Sequence, residues 1–551
     1  MGIVKKQGED TGGFLRWADE RKVMALESEI LTDGENGFIG MASRTNPTTI
    51  PAGYVQYAQN MRFDRGVANV RGGSKRLTDS GAVGQTIFGS GLFSDPTTGV
   101  EKVVLVGGSA IYIYNTSTTV ISTVSYPGGQ TVVATDVPHC IQSNNELFIL
   151  RGQASGKSPL IWNGASTITV APSGSPSGPT ATFPPSDFGV YFQNRIVLKR
   201  DRDKICASDF LDNGTFDLTL NQFTINLGAN DAITGFQPWQ EDKFIIFQRN
   251  SVYIAYIDPN GYVTGANPGA NSYVKSLTTE MGSNARRSIV NAGANIFFLS
   301  DSGVHILTPS LDLKLTGNQR PLSDPISDVI ARINVASVGS AAGCIYNNRY
   351  YLAVPLDGAT RNNAVLVYSM LNQAWESVDT YPAGMFIDNL LVAQYGYARR
   401  LYATNAEGGI YVLEELEMDE FAIAGGNPIL PFTIPATITA TFTQHNIAGQ
   451  ILTRRFYFNT FFAKRFRTVQ ADFNMAVGDA IKVSSVMVNP DSTTEVFQFG
   501  SGTAEDYTRR VRIGQTGYGM DLLFESVTKR PVVRGFRVEA TVPGGSMVST
   551  E

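Results

Sequence analysis

A strand–turn–strand pattern recurs between residues 85 and 421 and restricts the fold more than any other property of the chain. Polar residues lead into apolar runs. Lys102 precedes Val103-Val104-Leu105-Val106, Asn145 precedes Leu147-Phe148-Ile149-Leu150, and Asn194 precedes Ile196-Val197-Leu198. Asp242 precedes Phe244-Ile245-Ile246-Phe247, Asn295 precedes Ile296-Phe297-Phe298-Leu299, Asn348 precedes Tyr350-Tyr351-Leu352-Ala353-Val354, and Arg400 precedes Leu401-Tyr402-Ala403. A second apolar run often follows across a Gly or Asn turn, as where Gly107-Gly108 leads to Ile111-Tyr112-Ile113-Tyr114. Anchors about 50 residues apart, all strand and turn, are the pattern of propeller blades. One four-stranded sheet cannot bury both of its faces alone, so such units stack in a ring. The spacing predicts an all-β fold with a β-propeller of about seven blades over residues 86–421. Two unrelated β domains with coincidental spacing are the alternative.

Composition agrees with this. A chain of 551 residues exceeds one ordinary core. Only 17% of residues are charged, 55 are Gly and 10% are aromatic, which suits strands joined by tight turns. The net charge of -5 argues against a dedicated nucleic-acid binder, which needs a strongly basic face. Cys140, Cys206 and Cys344 are far apart and odd in number, so they read as small buried apolar residues rather than a disulfide framework. Folding in a reducing cytoplasm is expected. The start of the chain lacks the apolar run of a signal peptide, and no stretch is apolar for long enough to span a membrane.

Four segments are expected along the chain. Residues 1–37 form an N-terminal arm, with a short helix from Leu15 to Leu31 stopped by Asp33-Gly34. Its Trp17 and Leu26 are candidates for an assembly contact, because an apolar load of this kind is hard to leave exposed. Residues 38–85 form an extended and hairpin entry segment, with one or two helical turns at 54–61 and a hairpin at 62–67. The propeller at 86–421 carries a Pro/Ser/Gly-rich insertion at 172–185 and a short helix at 323–333. It ends in an acidic run, Glu414-Glu415-Leu416-Glu417-Met418-Asp419-Glu420, which reads as a solvated edge. After the break at Gly425-Gly426-Asn427-Pro428, residues 422–551 read as a C-terminal antiparallel, sandwich-like β domain, because 437–443, 510–513 and 534–540 alternate with period two.

From residue 429 onward the chain holds 13 basic and 10 acidic residues, leaving 31 basic and 39 acidic before it. Arg454, Arg455, Lys464, Arg465 and Arg467 make the dense basic cluster. It reads as a docking surface, a phosphate contact, or the solvated face of strands.

No catalytic, cofactor or metal constellation emerges. His139, His305 and His445 fall in different units. Residues 152–158 imitate a phosphate loop, but Arg151 stands where Gly is needed and no helix follows. Asp201-Arg202-Asp203 lacks the rest of a calcium loop. No pair of carboxylates is singled out for glycoside hydrolysis. Trp162, Trp239 and Trp375 recur on propeller segments, where packing is the commoner role of such residues.

The run IPAGYVQYAQNMRFDRGVANVRGG, residues 50–73, resembles the opening of tail hub or nozzle (tail tubular) proteins of short-tailed, podovirus-like bacteriophages. In that family a Pro-Gly turn, an A-x-N-x-R segment and a Gly-bearing hairpin precede a propeller. The resemblance covers most of residues 38–551. It implies a non-enzymatic structural protein of the virion tail, made in the host cytoplasm. It further implies a homohexameric ring that joins the head-to-tail adaptor protein, sits near tail fibres or spikes, passes double-stranded DNA transiently and approaches the host envelope. A propeller adhesin for a host-surface glycan is the second reading, and a propeller glycosidase the third.

Overall fold

In the computed structural model, residues 30–77, 85–171, 183–218, 221–225, 231–239, 243–256, 273–308, 320–423 and 442–542 are described. The protein is all-β, and among the described residues helix is confined to short 3-10 and α-helical turns. Trp17, Leu26, the Gly425–Pro428 break and most of the Pro-rich insertion lie outside the described residues.

Among the described residues, seven sets of antiparallel strands follow one another between residues 87 and 416, the sixth being one end of a ten-stranded sheet. Their first strands are Ile87–Ser94, His139–Ser143, Gly189–Phe192, Ile233–Trp239, Val290–Ala292, Ala342–Tyr346 and Asn389–Tyr395. Their second strands begin at Glu101, Glu146, Arg195, Lys243, Asn295, Arg349 and Ala398. Asp242 lies outside the described residues, and each of the other six polar anchors sits at, beside or within two residues of the start of a second strand. The turn chemistry explains this. Gln193-Asn194 and Asn347-Asn348 both have positive φ at two successive positions, the requirement of a tight hairpin turn, and Asn tolerates that conformation better than most residues.

Successive first strands lie side by side, and Asn389–Tyr395 returns to Ile87–Ser94, so the order is cyclic. Both faces of each second strand are buried, which is why these strands read as continuous apolar runs. Val104 and Val106 pack with Leu147, Ile149 and Trp162 of the second sheet. The alternate residues Val103 and Leu105 pack with Tyr402, Ile410 and Val412 of the seventh. Period-two side-chain alternation thus serves two neighbours rather than one neighbour and solvent. Trp162, Trp239 and Trp375 are all buried, each donating its indole N–H to a carbonyl: those of Ala165, Ala294 and Leu322.

The stretch 30–76 is woven through the rest. Tyr54–Gln59, where helical turns are expected, is a strand instead. It continues the sixth sheet beyond Ala374–Thr380 and pairs with Gln450–Thr453, after which Gly519–Thr528, Ala480–Val488 and Ser492–Gly500 follow. Val55 and Ala58 turn into the core from it, a burial that outweighs local helical preference. Met61–Asp64 and Val67–Val70 form the expected hairpin, turning through Arg65 and Gly66 at positive φ. They join Val532–Thr541, Lys464–Met475 and Glu505–Gly517 in a second sheet. Ile30–Glu35 pairs with Val532–Thr541 as a strand, so the helix expected to reach Leu31 does not include residues 30 and 31. The two sheets share one apolar core, in which Phe466, Val469 and Phe473 meet Val483, Leu522 and Phe524. Gly73–Arg76 supplies the fourth strand of the seventh sheet, beside Ile410–Leu416.

Buried charge fixes this weave. Arg71 donates to Asp419 through both terminal nitrogens at 2.9 and 2.6 Å. It also donates to Asn60 Oδ1, the Gly72 carbonyl and the Thr380 carbonyl, and stacks over Tyr381 at 4.3 Å. Arg62 grips Asp379 at 3.0 and 2.5 Å and also meets Glu414. Burial alone would push the Arg62 guanidinium's pKa down, but Asp379 and Glu414 hold it well above its ordinary value. Arg349 joins Glu376 at 2.6 Å and Asp64 at 2.5 Å. The acidic run is therefore no solvated edge: Glu414 and Asp419 are the counter-charges of two arginines from the far end of the chain. Gly72 and Gly73 allow the approach, since a Cβ on either would fall within 2.5 Å of the backbone at Glu414 or Met418.

Replacing Arg71 by Met leaves Asp419 buried without its cation and is expected to cost about 3–5 kcal/mol. The double change Arg71→Met with Asp419→Leu should recover most of that loss. Urea unfolding of the two variants measures both, and a loss below about 1 kcal/mol in the single variant would show that the pair does not hold the weave together.

Candidate functional site

The basic cluster at 454–467 divides into consumed and available charges. Arg454 grips Asp33 at 2.7 and 3.0 Å and also meets Glu35, tying the strand Ile30–Glu35 to the C-terminal sheets. Arg455 forms a two-pronged pair with Asp521 at 3.1 and 3.0 Å. Lys464 is fully buried, and its ammonium donates to the carbonyls of Thr460, Phe462 and Tyr518 at 2.7, 2.9 and 2.7 Å. Arg465 and Arg467 remain exposed at the start of Lys464–Met475, with Arg467 in a long 3.3 Å contact to Thr541 Oγ1.

Lys464 pins a loop that presents apolar surface. Phe461 is 88% exposed and Phe462 52%, with Tyr518 beside them at 48%. The chain enters this tip through Phe458 and Asn459, both left-handed at φ 53° and 51°. A left-handed phenylalanine is uncommon, and it persists here because Phe458 packs on Phe466 while Lys464 holds the far side of the turn. The result is an aromatic tip flanked by two exposed guanidinium groups. The sequence reading singled out the arginines and missed the Phe461-Phe462 doublet. Two adjacent aromatics between Asn-Thr and Ala-Lys were the available signal.

Of the other residues singled out in the sequence, most are tied down, whereas His445 Nε2 is buried with no hydrogen-bond partner among the described residues. His139 Nε2 lies 2.9 Å from the Gly189 carbonyl, and burial followed by Arg286 pushes its pKa down to about 3. His305 sits 2.8 Å from Ser302 Oγ, stacked on Phe298. Burial pushes all three cysteine thiols up to about 12, so they stay protonated. In the phosphate-loop imitation, Lys157 is bound to Asp136 at 2.8 Å and Arg151 to the Ser158 carbonyl at 2.8 Å. Among the described residues no group of three or more His, Cys, Asp or Glu could hold a metal ion, and no helix is long and apolar enough to cross a membrane.

Burial pushes the Lys464 ammonium down to about 8, below the value of about 10.4 of an unfolded lysine. The unfolded chain then binds more protons between these two values, so this residue's contribution to stability rises as pH rises from about 8 to 10.5. Melting curves of the protein and of Lys464→Met across this window should show the gap widening in favour of the lysine. At neutral pH the variant should lose about 1–3 kcal/mol, the cost of leaving polar groups without partners. A gap independent of pH would contradict the assignment.

No family model matches the chain, and no curated protein matches it. Solved structures give distant likenesses. One belongs to a mitotic checkpoint complex, at 11% identity and TM-score 0.37, covering 60% of this chain and 92% of that one. Another is an exo-β-1,3-galactanase from Phanerochaete chrysosporium with galactose, at 10% identity and TM-score 0.24, covering 75% and 98%. A third is PorZ, a surface component of the type-IX secretion system of Porphyromonas gingivalis, at 12% identity and TM-score 0.36, covering 62% of this chain and 38% of that one. These likenesses are too distant to assign a family or an activity.

Proposed function

We propose that the chain is a structural subunit of a short phage tail, a nozzle or hub that closes into a homo-oligomeric ring, most simply a hexamer. In this reading the seven cyclically ordered sheets are the blades of a β-propeller, closed by Gly73–Arg76, and the two facing sheets are a C-terminal sandwich. The observation that carries it is the tip at Phe461 and Phe462, flanked by Arg465 and Arg467. An exposed aromatic pair held out by a buried lysine suits a protein contact, because aromatic and arginine side chains dominate interface energetics. The occupant of that tip is a second copy of this chain. A ring uses a heterologous interface, in which one face meets a different face of the next copy. The excess of acidic over basic residues before residue 429, against the basic excess after it, is the complementarity such head-to-tail contact uses. The head-to-tail adaptor acts as the template, fibres or spikes attach outside, and DNA passes along the ring axis. Catalysis has no part in this role.

The test images the purified chain with and without a head-to-tail adaptor ring of a short-tailed phage. Rings of this chain on the adaptor are expected. Phe461→Ser with Phe462→Ser should weaken closure by about 2 kcal/mol or more, leaving the fold intact by circular dichroism. Deletion of residues 2–29, which spares the strand Ile30–Glu35 and its ties to Arg454, should likewise reduce incorporation, since Trp17 and Leu26 are assigned to the same assembly. A single copy or a peripheral trimer on the tail axis would overturn the ring, and a soluble monomer binding a neutral host glycan would favour an adhesin.

A further inference from the structure

A cavity of about 430 Å³ opens where the first strands of the second, third and fourth sheets meet the turn before the fifth. Its wall carries two adjacent arginines, Arg286 and Arg287, on the 3-10 turn Arg286–Ser288. Neither makes an ion pair among the described residues. Arg286 donates to the Asp187 carbonyl at 3.0 Å, and Arg287 reaches the Ser340 carbonyl at 3.4 Å. Each guanidinium has five N–H donors, and among the described residues one hydrogen bond is made by each.

The nearby carboxylates are already taken. Asp187 is bound to Lys199 at 2.7 Å and accepts from the Gln153 N–H at 2.8 Å. Asp388 is gripped by Arg361. Burial, and then the charge of Arg287, pushes the Arg286 guanidinium down to about 10, and burial lowers Arg287 as well. Both still carry charge at neutral pH. Phe188 fixes the geometry, with Arg286 lying over its ring at 5.0 Å and Phe236 packed on its edge at a centroid distance of 5.0 Å. His139 stays neutral, with Nε2 engaged by the Gly189 carbonyl.

Two like charges held side by side in a recess, with Asp187 and Asp388 acting on them only from a distance and no carboxylate in their forks, are incompletely compensated unless something else supplies the negative charge. Arg62, Arg71 and Arg349, by contrast, each have a carboxylate in the fork. We propose that this recess is a binding site for a small organic oxyanion, carboxylate or phosphate, which the two guanidinium forks hold while Phe188 and Phe236 contact its carbon skeleton. Planar forks match both anions, and the volume suits a ligand about the size of one acidic sugar. The site is independent of the ring interface, which lies at Phe461 and Phe462.

The test uses the full-length protein at fixed ionic strength, with inorganic phosphate, glucuronate and neutral glucose as probes. Calorimetry and thermal melting should show binding and a raised melting temperature with phosphate and glucuronate, and no response to glucose. Stronger response to one anion identifies the ligand's acidic group. Arg286→Gln and Arg287→Gln should each weaken binding about tenfold or more, and the double variant should abolish it. Without anion, the Arg287→Gln melting temperature should hold or rise, because a repulsive pair has been relieved. No anion response in the unaltered protein, or an equal response in the double variant, would overturn the proposal. So would a fall in the anion-free melting temperature of Arg287→Gln, which would mark the arginine as a structural strut.

Discussion

The fold depends on guanidinium groups of residues 62–71 closing on carboxylates that lie more than 300 positions away. Arg62 meets Asp379 and Glu414, and Arg71 meets Asp419. A buried ion pair adds little net stability over an apolar substitute, but breaking one leaves a buried charge without a partner. Its effect is therefore on which arrangement is tolerated. Any register of the hairpin at 61–70 that moved Arg62 or Arg71 by one residue would carry the charge to the other face of the strand. Once these contacts form, Gly73–Arg76 lies along the seventh sheet, and Tyr54–Gln59 lies along the sixth. The same short stretch then commits the cyclic sheets and the C-terminal sheets to each other. Asn60 reinforces this, accepting from Arg71 and from the Thr380 N–H through one side-chain oxygen.

Such closure has a kinetic consequence. The seven sheets are meanders whose strands pair with near neighbours, so most of their contacts are local. The seventh sheet is different, because its outer strand comes from residues 73–76 and its other three from 389–416. Long-range pairing of this kind must overcome the entropy of ordering the intervening chain before any contact rewards it. The buried arginines make that late contact selective, since only the correct strand brings a cation to Glu414 and Asp419.

The cyclic sheets were legible in the sequence because their determinants are local. Asn347-Asn348 supplies a turn with positive φ, and the apolar run after it supplies a strand buried on both faces. The C-terminal alternation at 534–540 was legible for the same reason. The woven segment was not, because nothing near Tyr54 says that Gln450–Thr453 will offer it an edge. The acidic run at 414–420 misled for a related reason: its solvation depends on residues 62 and 71, which no local window contains. Of the basic cluster, sequence density identified the residues but not their separate fates. Arg454 and Arg455 turned out to be ties, Lys464 a clamp, and only Arg465 and Arg467 exposed surface charge.

The arginines of this protein form two physical classes, and the difference bears on function. Arg71 has an acceptor for every N–H, a carboxylate in its plane and an aromatic ring beneath it, an arrangement that is complete without any further molecule. Arg286 and Arg287 have a ring beneath one of them and carbonyls at two of their nitrogens, and among the described residues no carboxylate sits in either fork, Asp187 and Asp388 acting only from a distance. A fold that can satisfy a buried guanidinium as fully as at Arg71 does not leave two unsatisfied for want of carboxylates, since Asp187 and Asp388 lie close by and are turned to other cations. Local rules broken without local compensation are where function is to be sought. The same logic applies to the tip at 458–462, where a left-handed phenylalanine and a buried ammonium hold two aromatic rings in water. Arg62, Arg71, Arg349, Arg454, Arg455 and Lys464 end on oxygen atoms of the chain itself. The unpaired pair in the recess and the exposed pair beside the tip are the charges the fold holds ready for something outside it.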